Sequence, residues 1–204
     1  MKLGNNKIFI VAEIGNNHEG KFSVAKKLIK KAKEAGADAV KFQVFKPELY
    51  YHASDVKRIN NLKKFQLSYH QFLKLKAYSK KLKIKFFASA FDLDSLNFLI
   101  KNLDLIKVSS SDNNNFIFFD KIFKNKKKCI VSTGLLENNQ IKLFIKKLEE
   151  RYSKKTIKKN LGLLHCVASY PAKQEDLNLD YIEELKKKYD FKIGYSDHSL
   201  GPDA

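Results

Sequence analysis

Seven short apolar runs, each breaking off in a polar loop, punctuate the chain at 8–12, 40–45, 84–89, 105–110, 129–133, 161–166 and 191–195. Each is too short for a helix and rich in Val, Ile, Leu and Phe, the pattern of a strand buried on both faces. The segments between most of them carry apolar residues at helical spacing, as in Val24, Leu28, Ile29, Ala32 and Ala35, or Ile141, Phe144, Ile145 and Leu148. Strands alternating with helices build a parallel sheet from βα units. The expectation is an α/β chain, a TIM-type (β/α)8 barrel with seven of its eight strands within residues 1–204. In such a fold the loops after the strands carry the chemistry.

At 44% apolar the chain can bury one core, and no composition shift marks a second domain. No apolar run reaches the length of a membrane span, and the first strand begins too early for a cleavable leader, so a cytoplasmic protein is expected. Cys129 and Cys166 fall inside strands and read as buried thiols. The net charge of +18 suggests nucleic acid, but the only arginines are Arg58 and Arg151. Phosphate-reading surfaces favour the forked guanidinium. The lysines fall on helix faces and in loops, so the basic surface reads as solvated, with no nucleic-acid partner.

Two lysines do not fit that surface. Alternation along 39–45 puts Lys41 and Gln43 on one face of a strand, and neither face of a barrel strand tolerates an uncompensated ammonium. Lys41 therefore calls for an anionic partner, either a protein carboxylate or a bound substrate. Lys107 is placed similarly, just before Ser109, Ser110 and Ser111. With Ser89, Ser110 and Ser132 at the ends of three runs, these lysines suggest an anion cradle of hydroxyls, amides and ammonium charge. Asp197 and His198 follow the seventh run, a pairing suited to metal ligation or general base chemistry. His165 reads as either a core residue or a functional one, while His52 and His70 read as surface residues. The stretch 46–66 is the longest loop-like region, with room for a short irregular helix.

Taken together, AEIGNNHEG (12–20), AVKFQ (39–43), IKVSSSDNNN (106–115), VSTG (131–134), LLHCVASYPA (163–172) and IGYSDHSLG (193–201) resemble, in order, the motifs of the sialic acid synthase family. Those enzymes condense phosphoenolpyruvate with an N-acylated hexosamine to a nine-carbon 2-keto acid, releasing phosphate. The resemblance implies a (β/α)8 barrel, with a following antifreeze-like domain that lies outside these residues. It implies phosphoenolpyruvate binding by Lys41, Ser89, Lys107, Ser110, Ser132 and Ser196, where Ser89 replaces a usual Thr. Glu19 and Asp197 would be catalytic, Gln43 and Tyr170 would meet the sugar, and His198 would be one of two histidines holding Mn2+ or Mg2+. Ala168 departs from the Asn or Ser of other members. The sugar could be N-acetylmannosamine or a diacetylated relative, and the full-length protein is expected to be a homodimer. The chain alone, lacking the second histidine, is expected to be inactive. Two other readings stand beside this one: an aldolase forming a Schiff base through Lys41 or Lys107, and a truncated paralogue that binds without catalysing.

Overall fold

The computed structural model describes residues 8–201, and these divide into two compact units, one ending at Leu103 and the other beginning at Asp104. The first unit contains β1 (Val11–Gly15), α1 (Phe22–Glu34), β2 (Ala39–Val44), α2 (Pro47–Tyr50), α3 (Val56–Lys63), α4 (Tyr69–Lys81), β3 (Lys85–Ala90) and α5 (Leu93–Asn102). The second contains β4 (Leu105–Val108), α6 (Phe116–Lys124), β5 (Lys128–Ser132), α7 (Asn138–Glu149), α8 (Lys154–Asn160), β6 (Leu161–His165), α9 (Tyr181–Lys188) and β7 (Lys192–Tyr195). Short 3-10 turns at Ser110–Asp112 and Gln174–Asp176 follow β4 and β6. Among the described residues the seven strands take the order β1-β2-β3-β4-β5-β6-β7. Parallel strands in chain order, linked through helices, are the topology of a (β/α)8 barrel through seven of its eight strands.

In the first unit β1 pairs with β2, and β2 with β3, all parallel. Strand β1 begins three residues later than the apolar run suggests and continues through the AEIG motif. Pairing starts at Val11↔Ala39, and the upstream Ile8 and Ile10 are exposed. Ile10 is tied down through its backbone, its N–H donating to Asp38 Oδ2 and its carbonyl accepting from the Asp38 and Ala39 amides. The stretch 46–66 is mostly ordered as α2 and α3. Helix α4 opens with a capping box: Ser68 Oγ accepts from the Gln71 amide, and Gln71 Oε1 accepts from the Ser68 amide. The core collects Ile29, Phe42, Phe72, Leu75, Leu96 and Leu99, with Phe42 edge-on to Phe72 and stacked on Phe86.

In the second unit β4 pairs with β5, β5 with β6 and β6 with β7, again in parallel. The apolar stripe anticipated on α7 is its buried face: Ile141, Phe144, Ile145 and Leu148. These pack with Phe119, Ile122, Val131, Ile157 and Leu163 to form the core. Cys129 and Cys166 are both buried and unbridged, and burial pushes the Cys129 thiol up, out of the reactive range. Among the described residues no helix is long and apolar enough to cross a membrane.

Candidate functional site

In the first unit the polar residues gather at the carboxyl ends of β1, β2 and β3. Lys41 is buried, its side chain only 7% exposed, and its Nζ lies 3.1 Å from both Glu13 Oε1 and Glu13 Oε2. The partner that burial demanded is thus a protein carboxylate on the neighbouring strand, in register with it (Glu13↔Lys41). The sequence reading did not single out Glu13; the signal lies in the alternation of β1, which puts Glu13 and Gly15 on one face. Gln43 follows on the same face of β2 as Lys41, and its Oε1 accepts from Asn16 Nδ2 at 2.7 Å. Ser89 sits opposite Gln43 on β3, fully buried with no partner for its hydroxyl, and Asn16 Oδ1 is likewise buried and unpaired. Unsatisfied buried polar atoms of this kind cost about 1–3 kcal/mol each and need an account. Gly15 lines the group, since a Cβ there would lie 3.2 Å from Glu13 Oε1.

The loop after β1 holds His18 and Glu19. His18 is buried against Phe42, whereas the Glu19 side chain is 67% exposed and lies 3.7 Å from Lys21 Nζ. Burial pushes the His18 imidazole below its ordinary value. His52 and His70 are surface residues.

In the second unit Lys107 Nζ donates to Ser132 Oγ on the adjacent strand at 2.5 Å and to the carbonyl of Val108 at 3.1 Å. Ser110 Oγ lies 3.3 Å from Cys166 Sγ, which also accepts from the Gly134 amide at 3.2 Å, so three strand ends are joined around one sulfur. Asn113, which the sequence reading did not single out, is buried and donates to the Gly134 carbonyl at 3.0 Å, bracing the loop after β5. Asp112 is half-buried, and burial holds its carboxyl above the usual range even though Ser111 Oγ donates to it. His165 is a core residue, its Nε2 2.7 Å from the Leu177 carbonyl and its ring edge-on to Tyr181.

The loop after β7 turns back onto the loop after β6. His198 Nδ1 donates to the Val167 carbonyl at 2.6 Å, leaving Nε2 as the acceptor, and Tyr170 OH donates to it at 3.0 Å with the ring centres 4.2 Å apart and the planes tilted by 30°. Ser196 Oγ is 3.5 Å from the same Nε2. A carbonyl on one imidazole nitrogen is the arrangement that turns the other toward a metal. Among the described residues, however, no group of three or more His, Cys, Asp or Glu side chains surrounds a common point. Asp197 lies beside His198. Burial acts to raise its carboxyl, but hydrogen bonds from Ser199 and the Tyr195 hydroxyl prevail and hold it below the usual range. The Tyr195 phenol is pushed up to about 12 by burial and by Asp197.

The description of the NeuB family matches residues 28–204. An N,N'-diacetyllegionaminic acid synthase of Campylobacter jejuni is 34% identical over 96% of the chain and 62% of its own length. The human N-acetylneuraminate-9-phosphate synthase is 33% identical over 97% of the chain and 57% of its own length. The crystal structure of an N-acetylneuraminic acid synthetase from Leptospira borgpetersenii, in complex with citrate, superposes with a TM-score of 0.88 at 35% identity, covering 100% of this chain and 71% of that one. The chain thus spans little more than half the length of the curated relatives described. The matched residues include every strand from β2 to β7 and the polar groups at their carboxyl ends, and the chain belongs to the NeuB family of sialic-acid-type synthases.

Proposed function

We propose that this protein is a phosphoenolpyruvate-condensing synthase that joins the three-carbon unit to an N-acylated amino sugar and releases phosphate. The observation that carries the reading is Lys107 bonded to Ser132 at the ends of adjacent strands, with Ser110 in the following loop. An ammonium and a hydroxyl held together at two strand ends suit an oxyanion. Relatives at 33–34% identity that make diacetyllegionaminic acid and N-acetylneuraminate 9-phosphate support the chemistry and leave two sugar classes to compare.

In this reading Lys107, Ser110, Ser132 and Ser196 bind phosphoenolpyruvate, as do Lys41 and Ser89, whose unpaired hydroxyl would gain a partner. Gln43 and Tyr170 orient the sugar. Glu19 stabilises positive character at the central carbon of the enol phosphate or directs water to it, and Asp197, held as the carboxylate, accepts a proton near the reacting carbons. His198 Nε2 would be one ligand of Mn2+ or Mg2+, and such a metal supplies Lewis-acid polarisation of the sugar aldehyde when bound.

The test is phosphate release by the protein expressed from its complete gene, with phosphoenolpyruvate, Mn2+ and either N-acetylmannosamine or its diacetylated relative. Release that requires one of the sugars, with a 2-keto acid formed in equal amount, is expected. Release without sugar, or borohydride trapping of pyruvate on Lys41 or Lys107, would replace this reading with another.

A further inference from the structure

The loop after β1 is wound as successive turns, Asn17 N to Ile14 O at 2.9 Å, Glu19 N to Asn16 O at 2.9 Å and Lys21 N to His18 O at 2.8 Å. Within it Glu19 and Gly20 both have left-handed backbones, with φ of 51° and 72°. For a residue with a Cβ that conformation costs about 1–2 kcal/mol and persists only where the surroundings enforce it. Gly20 is enforced from outside: a Cβ there would meet the Lys64 carbonyl oxygen at 2.1 Å, so only glycine fits. Its amide is held from inside, donating to His18 Nδ1 at 3.1 Å.

His18 is itself immobilised. It is fully buried and lies nearly parallel to Phe42, 5.9 Å between ring centres and 25° between planes. Because Nδ1 accepts, the proton is on Nε2, and that N–H has no partner. A leucine or phenylalanine would fill the space without stranding a donor. What neither could provide is the acceptor that Nδ1 offers to Gly20.

We propose that His18 is a positioning residue for Glu19: by holding the Gly20 amide it fixes the left-handed backbone at Glu19 and hence the direction of that carboxylate. The role rests on the catalytic reading of Glu19, and two readouts separate them. Asparagine places its side-chain oxygen where Nδ1 stands, one bond beyond Cγ, whereas glutamine places its amide where Nε2 stands.

The experiment compares His18→Asn, His18→Gln, His18→Leu and Glu19→Gln by hydrogen exchange at the Gly20 amide and by kcat and KM for phosphoenolpyruvate. His18→Gln and His18→Leu should exchange the Gly20 amide about tenfold faster, and lose about ten- to a hundredfold in kcat with little change in KM. His18→Asn should restore most of both. Equal exchange in the Asn and Gln variants, or a loss confined to KM, would overturn the positioning role. Wild-type turnover in Glu19→Gln would instead overturn the catalytic reading, whatever the amide exchange shows.

Discussion

Glu13 and Lys41 face each other across neighbouring parallel strands, the ammonium equidistant at 3.1 Å from the two carboxylate oxygens, one partner buried and the other 56% exposed. The asymmetry decides what each mutation does. Removing the exposed carboxylate strands a buried charge, while removing the buried ammonium leaves a carboxylate that water can solvate. Glu13→Gln should therefore destabilise the protein by about 1–3 kcal/mol, less than the loss of one partner from a fully buried pair. Added phosphoenolpyruvate should narrow the difference by supplying a substitute anion. Urea unfolding of both proteins with and without the ligand checks this; equal midpoints throughout would refute it.

Lys41→Met and Lys107→Met keep most of each aliphatic stem and remove the charge. Each should weaken phosphoenolpyruvate binding at least about tenfold, the loss of one charge-assisted hydrogen bond, and affect the sugar far less. Calorimetric titration with each substrate separately decides the matter, and a loss of sugar affinity alone would sink the assignment.

Gly134→Ala should fail through crowding, since the added Cβ would lie 2.7 Å from Cys166 Sγ and 2.8 Å from Ser110 Oγ. Overpacking of this kind costs about 1–3 kcal/mol. Combining it with Cys166→Ala, which removes the sulfur, should recover part of the stability. Thermal unfolding of the two single variants and the double variant measures the coupling, and strict additivity would mean that the two sites do not touch.

His18 gives stability a pH dependence of definite sign. Its folded-state value is depressed by burial, so the unfolded chain takes up the proton first as pH falls. The stability that neutral His18 contributes is present above about pH 6.5 and is lost progressively below it, down to the depressed folded value. Wild type should therefore lose stability relative to His18→Asn between pH 7 and pH 5. Parallel curves over that interval would show that the imidazole does not titrate there.

Much of the fold was legible because it rests on periodicity. The stripe on α7 is a 3.6-residue repeat and is buried as such, and the short runs from 40 onward became strands within a residue or two at most boundaries. The first strand was displaced because hydropathy alone stops at Ala12, whereas the pairing with β2 carries on through Glu13, a polar residue facing Lys41. That Lys41 needed an anion followed from burial on a strand. Which anion it was depended on cross-strand register, which no single stretch of sequence contains. The division at Leu103 and Asp104 was equally silent, because a short helix-to-strand turn marks it and no linker composition does. For His18 only the place just beyond the first strand was legible, because its ring meets a backbone amide two residues away, a contact that depends on how the loop is wound.

The contact between Gly20 and Lys64 also bears on how the first unit can be altered. The segment joining β2 to α4 is long enough to invite replacement by the equivalent segment of a relative. Its far end, however, rests against the backbone of the loop that presents Glu19, with no side chain between them to absorb a change in length. A graft that ends before Lys64 keeps that abutment and can exchange α2 and α3 freely. One that runs through Lys64 moves the loop with it, so the junction, more than the transplanted residues, will decide whether a chimera works.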